Sequence, residues 1–186
     1  HQPAARFQQL CRRIEDGRCY INIADLLAAT ADYDRAVRYY QQALKIYDKT
    51  TGDKEAKVAI CYNNIANAYK GKGDFENAQD YYRKALKIFR QTEGKKGQSV
   101  ALCYNNMANA YTEEGDIYNA LSNYNKALKI WQKTVGEESA EVADLYAARA
   151  MAHSAIEDYD AALEDLGNAL ATDSLLFGGV SQKVAD

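Results

Sequence analysis

The chain has 186 residues, of which 47% are hydrophobic and 26% charged, and a net charge of −3. That suffices for about one ordinary folded domain. No apolar run approaches the ~20 residues of a bilayer crossing, and no basic stripe marks a nucleic-acid partner, so neither a membrane nor a nucleic-acid function is expected.

Residues 1–18 open on His1, with nothing resembling a signal peptide, and read as the start of an excised piece. Phe7, Leu10, Cys11 and Ile14 stand at i, i+3, i+4 and i+7, a helical stripe. A capping helix or linker over the open end of the adjoining segment is expected there. A basic recognition segment using Arg6, Arg12 and Arg13 is the alternative.

From Cys19 onward the chain repeats itself. Cys61–Phe89 and Cys103–Trp131 agree at 18 of 29 positions, and the same 42-residue frame also opens at Cys19 and at Leu145. This gives four gap-free units, 19–60, 61–102, 103–144 and 145–186. A fixed period without insertions means one structural module per unit, stacked on its neighbours. Ser181–Asp186 resembles Ser139–Asp144, so the last residues read as the opening of a further, truncated unit.

Each unit reads as two helices. At 100° per residue, Cys61, Ile65, Ala66, Ala68 and Tyr69 share one apolar face, while Asn63, Asn64, Asn67 and Lys70 share a polar one. The first helix stops at Gly73 or Gly115, where glycine takes the left-handed position cheaply, and units one and four carry Ala31 and Glu157 there. Asp32, Asp74, Asp116 and Asp158 come next, each placed to cap a second helix. Exits are expected near Thr51-Gly52, Glu93-Gly94, Val135-Gly136 and Phe177-Gly178. Cys19, Cys61 and Cys103 share one phase of the repeat. Stacked helices lie about 8–10 Å apart and a disulfide needs Cα atoms within about 7 Å. These three are therefore expected to be reduced, small and buried, with Cys11 free. His153 stands where a packing tyrosine is expected and reads as a partly buried structural histidine.

The pattern resembles the tetratricopeptide repeat, usually 34 residues long. The large-small-aromatic positions of that family fall on Tyr62, Ile65, Ala66, Tyr69, Gly73, Phe75, Ala78, Tyr82 and Ala85, and again on Tyr104, Met107, Ala108, Tyr111, Gly115, Ile117, Ala120, Tyr124 and Ala127. Unit one keeps Tyr20, Ile23, Ala24, Leu27, Tyr33, Ala36, Tyr40 and Ala43; unit four keeps Tyr146, Ala150, Tyr159, Ala162 and Ala169 and departs at Arg149 and His153. The family's proline near the end of the second helix is missing, and the period is longer. Such units resemble those of kinesin light chains and nephrocystin-like adaptors. The resemblance implies an all-α, right-handed superhelical solenoid of helix–turn–helix repeats whose first helices line the concave side.

On that reading the polar face is the binding face. It carries Asn63, Asn64, Asn67 and Lys70 in unit two, Asn105, Asn106, Asn109 and Thr112 in unit three, and Asn22 and Asp25 in unit one. Asparagine is a mediocre helix former, and its amide both donates and accepts. A ladder of asparagines suits the peptide groups of an extended segment of a partner. Alternatively, they bond neighbouring helices or face water. Replacing Asn67 and Asn109 by alanine is expected to weaken such binding and leave the fold intact. Ile21 in unit one and Ala147, Ala148 and Met151 in unit four make the ends more apolar, while Asp25, Glu113 and Glu114 disfavour an acidic peptide. The carboxylate clamp of chaperone-binding relatives is not expected, because no Lys or Arg stands at its groove positions.

No phosphate loop, Cys/His pair or Ser/His/Asp set stands out in the sequence. The chain is expected to be no enzyme, with no catalytic residue, no metal, no cofactor and no small-molecule substrate. It reads as the cytoplasmic interaction module of a larger adaptor or scaffold. An architectural spacer or oligomerisation segment, with no peptide in the groove, is the alternative.

Overall fold

A computed structural model describes residues 16–47, 54–136 and 139–183, with side chains up to Ser174 except Lys54. Among these residues lie eight helices and no strand: α1 Gly17–Ala29, α2 Tyr33–Tyr47, α3 Lys54–Gly71, α4 Phe75–Thr92, α5 Gln98–Glu114, α6 Ile117–Thr134, α7 Ala140–Ala155 and α8 Tyr159–Lys183. The all-α class and the alternation of first and second helices are as expected. The chain divides into two units, His1–Thr92 with α1–α4 and Glu93–Asp186 with α5–α8. The frame counted from Cys61 opens inside the first helices, since α3 starts at Lys54, α5 at Gln98 and α7 at Ala140.

One turn joins every hairpin, whatever residue occupies it. Backbone φ is +75° at Gly73 and +90° at Gly115, and also +59° at Ala31 and +61° at Glu157. At each turn two amides return to the last helical carbonyls. Gly73 N–H reaches Lys70 O at 2.8 Å and Asp74 N–H reaches Tyr69 O at 3.0 Å, and the other three turns repeat both bonds. The following aspartate then caps the second helix, as expected. Asp32, Asp74, Asp116 and Asp158 accept from the backbone N–H of Arg35, Asn77, Asn119 and Ala161 at 3.2–3.3 Å. Ala31 and Glu157 thus hold the left-handed conformation against a cost of roughly 1–2 kcal/mol each, because the two amide bonds and the cap determine the turn.

The cores sit where the repeat phase puts them. In the first unit Ala24, Ala36, Val37, Tyr40, Ile65 and Ala68 form one buried cluster, with Tyr33, Leu44, Tyr69 and Tyr81 packed against it. Tyr20, Ala43, Tyr47 and Cys61 form another. Alanine at these crossings lets the helices approach while the tyrosines fill the space between them. Tyr82 and Tyr124 are among the largest fully buried side chains.

Three expectations need correction or lie out of reach. Cys19 is disulfide-bonded, whereas Cys61 and Cys103 are reduced thiols, buried as their phase requires. Phase fixes how a side chain packs but says nothing of the covalent bond it makes. Helix α8 runs on to Lys183 instead of ending near Phe177-Gly178. A glycine inside a helix costs only about 1 kcal/mol, and among the described residues no later helix folds back to impose a turn there. The N-terminal stripe, Cys11, the exit at Gly52 and Val184–Asp186 lie outside the described residues.

Unit four replaces packing by charge. Arg149 on α7 grips Asp165 on α8 with two bonds, Nε to Oδ2 at 2.7 Å and Nη2 to Oδ1 at 2.5 Å. Its Nη1 reaches Asn125 Oδ1 on α6 at 2.5 Å. Both partners of the ion pair are largely enclosed. His153 is half-buried beside them, its Nδ1 3.3 Å from Asp158 Oδ2, in keeping with a structural histidine.

Candidate functional site

The first helices carry the polar residues singled out from the sequence, and in the first unit α1 and α3 lie side by side through them. Tyr40 Oη donates to Asp25 Oδ1 at 2.5 Å, and Asn64 Nδ2 donates to the same oxygen at 3.3 Å. Asn63 Nδ2 in turn donates to Asn64 Oδ1 at 3.4 Å. The structure thus brings Asp25, Asn63 and Asn64 into one chain of hydrogen bonds. Asn63 is only 8% exposed, so it lies beneath the face and not on it. Asn22 is exposed on α1, and Lys70 is half-buried at the end of α3.

Asn67 has a different partner. Its Oδ1 accepts the Tyr82 hydroxyl of α4 at 2.5 Å. One period later, in the second unit, Asn109 Oδ1 accepts the Tyr124 hydroxyl of α6 at 2.6 Å. Thr112 Oγ1 donates to Ala108 O at 3.0 Å and lies 3.3 Å from Tyr124 Oη. Asn105 and Asn106 are half-buried on α5. On α7 the corresponding places hold Ala147, Ala148 and Met151, and Met151 is exposed.

Burial favours the protonated phenols of Tyr40 and Tyr124. It pushes Tyr40 well above its ordinary value of 10.0, with the Asp25 hydrogen bond and charge adding to it. Tyr124 is raised for the same first reason. The Cys61 thiol is pushed up to about 12, by burial first and Asp25 second. The geometry has the Tyr82 and Tyr124 hydroxyls donate to Asn67 Oδ1 and Asn109 Oδ1, so both amide oxygens are engaged. An amide whose oxygen is taken has two N–H donors left. The tyrosines therefore orient the asparagines as donors on an otherwise helical surface, whereas Asp25, at the same repeat position, offers only acceptors.

Sequence reasoning placed Tyr40, Tyr82 and Tyr124 in the packing and missed their hydroxyl contacts. The available signal was the constant 15-residue separation from Asp25, Asn67 and Asn109. It also passed over Ile60, in phase with Leu102 on α3 and α5; the two are exposed by 44% and 46%. Ile60 stands four residues before Asn64, one helical turn along the same face. Among the described residues no group of His, Cys, Asp and Glu could hold a metal ion. No helix there is long and apolar enough to cross a membrane.

Comparison with known proteins follows the repeat. The family model described as tetratricopeptide repeat matches residues 8–91 and 99–173. No curated protein matches the chain. Among solved structures, BtubC (BKLC) from P. vanneervenii is similar at 27% identity and a TM-score of 0.77, over 87% of this chain and 65% of that one. Aspartyl phosphate phosphatase F from Bacillus subtilis has a TM-score of 0.77 at 15% identity, over 87% of this chain and 41% of that one. A Podospora anserina protein described as a kinesin light chain, with nearly identical TPR-like repeats, has a TM-score of 0.72 at 20% identity, over 84% of this chain and 74% of that one. The last two likenesses are of fold alone. The chain spans less than two thirds of the length of the first two structures.

Proposed function

Because this chain belongs to the tetratricopeptide-repeat family, we propose that it is a non-catalytic protein-interaction module that takes an extended segment of a partner on the polar faces of its first helices. Repeats of this kind generally mediate contacts between proteins. The finer reading rests on one observation: Asn67 and Asn109 each give their oxygen to a buried tyrosine. Their remaining N–H donors suit the backbone carbonyls of a segment that has no internal hydrogen bonds of its own. Ile60 and Leu102, exposed on the same helices, suit its apolar side chains. The Asp25 carboxylate, in turn, favours a basic residue on the segment and disfavours an acidic one.

The test keeps the tyrosine bond and removes the donors. Asn67→Asp and Asn109→Asp retain an acceptor oxygen, as Asp25 does at the same position in unit one. Peptides selected from a display library on the native chain are titrated against the double variant by calorimetry. Two lost hydrogen bonds of roughly 0.5–1.5 kcal/mol each lower affinity about ten- to a hundredfold, while the melting temperature stays within a few degrees. Unchanged affinity would mean that the partner uses another surface.

A further inference from the structure

One carboxylate stands among the amides of the candidate face. Its repeat position holds Asp25, Asn67, Asn109 and Met151, so unit one alone carries a charge there. Asp25 is exposed on α1. The Tyr40 hydroxyl donates to its Oδ1 at 2.5 Å, and Asn64 Nδ2 on α3 donates to the same Oδ1 at 3.3 Å. Asn64 is held in turn, because its own Oδ1 accepts from Asn63 Nδ2 at 3.4 Å. Among the described residues no donor reaches Asp25 Oδ2 and no Lys or Arg pairs with Asp25.

The two carboxylate oxygens are therefore unequal. An oxygen of this kind has two lone pairs; at Oδ1 both are taken, and at Oδ2 both are open. Arginine reaches its strong geometry by laying two parallel N–H groups on both oxygens at once. Here one of those groups would meet the Tyr40 hydroxyl and the Asn64 amide, donor against donor. A lysine ammonium is a compact charge with three rotatable donors and needs one oxygen only. Oδ2 supplies it, on a carboxylate that Tyr40 and Asn64 fix before any ligand arrives, which lowers the ordering cost of binding. The lysine stem also has a place to lie. Ile21 and Ile60 stand four residues, one helical turn, before Asp25 and Asn64 on the same two helices, and Ile60 is exposed by 44%.

We propose that Asp25 is the specificity-determining residue of this face and selects a partner segment that carries a lysine, in preference to an arginine, where it crosses unit one. The inference rests on the reading of the first helices as the binding face. Tyr40 and Asn64 are positioning residues, which hold the carboxylate and close its Oδ1 edge.

The probe is a lysine-containing peptide enriched from a random display library on the whole native chain. Synthetic versions with Arg or Ala in place of that lysine are titrated beside it by fluorescence anisotropy. The Lys version is expected to bind about threefold tighter than the Arg version and about fivefold tighter than the Ala version. Asp25→Asn keeps the oxygen that Tyr40 and Asn64 bond, as Asn67 and Asn109 do in their units, so its thermal melt matches the native chain while the three peptides bind alike. Asn64→Ala opens a lone pair of Oδ1 and raises the Arg version to the level of the Lys version, whereas a merely structural Asn64 would lower all three together. No enrichment, enriched peptides without lysine, an Arg version that binds the native chain as tightly, or a lysine preference that survives Asp25→Asn overturns the proposal. The double variant Asn67→Asp, Asn109→Asp separates the two readings. If it weakens the peptide while Asp25→Asn changes nothing, the polar face is the site and the assignment of Asp25 alone fails. If both leave the peptide unaffected, the reading of the polar face fails with it.

Discussion

The Tyr82 hydroxyl donates to Asn67 Oδ1 at 2.5 Å, and one period later Tyr124 makes the same bond to Asn109. Tyr40 does so to Asp25 in unit one. Each bond ties the first helix of a hairpin to the second. The residues that read from sequence as a ligand face are therefore also part of the fold.

That double role orders a mutational series. Asn67→Ala removes the acceptor of the Tyr82 hydroxyl on a fully buried side chain, an effect of about 1–3 kcal/mol. Tyr82→Phe leaves only the half-exposed Asn67 amide, which water can reach, and costs about 0.5–1.5 kcal/mol. Asn67→Asp costs least. Urea unfolding of the three variants is expected to return that order; an Asn67→Ala protein as stable as the native chain contradicts it.

Ala31 and Glu157 hold φ near +60° in turns where units two and three use glycine. Ala31→Gly and Glu157→Gly are each expected to stabilise by about 0.5–1 kcal/mol, relief of backbone strain exceeding the extra chain entropy of glycine. Gly73→Ala runs the other way by about 1 kcal/mol. Nothing within 4 Å would meet the added Cβ at Gly73, so the loss isolates the backbone term. Thermal melts of the three single variants decide it.

The period, the hairpin turns and the aspartate caps were legible because each is a local rule applied four times. The tyrosine-to-asparagine bonds were not, although both partners stood in phase. A helical wheel sorts residues into faces but does not show which edge of a polar face borders the second helix. Arg149 and Asp165 illustrate the same limit. The break in pattern at Arg149 was visible, yet its partner lies 16 residues on, across the hairpin. The bond at Cys19 lay beyond any argument from phase, because Cys19 looks like Cys61 and Cys103.

Arg149 and Asp165 form an enclosed ion pair, so removing one partner leaves a buried charge. Arg149→Met alone is expected to cost about 3–5 kcal/mol. Arg149→Met with Asp165→Asn gives unit four the residues of unit three, Met107 and Asn123, and is expected to recover most of that loss. Chemical denaturation of the single and double variants measures the recovery, and a double variant no better than the single contradicts it.

The raised phenols of Tyr40 and Tyr124 make stability fall in alkali. A group whose folded value is raised contributes fully below its unfolded value and loses that contribution as pH rises through the folded one. Denaturant midpoints are expected to hold from neutral pH to about pH 9 and to fall beyond about pH 10, the unfolded phenol value. Tyr40→Phe flattens that fall. An equally steep fall in the Tyr40→Phe protein assigns it to other groups.

Cys61 and Cys103 are buried thiols, and Cys61 titrates only near about 12. Thiol reagents are expected to modify both slowly in the native chain and quickly in urea, while Cys19 reacts only after reduction. Fast labelling of Cys61 without denaturant contradicts the packing of the first unit.

The most direct test of the binding role is a nuclear magnetic resonance titration of the side-chain amides with a display-selected peptide. The Nδ2 resonances of Asn67 and Asn109 are expected to move on peptide addition while the backbone amides of α4 and α6 stay in place. Movement confined to the second helices, with both side-chain amides unaffected, contradicts it.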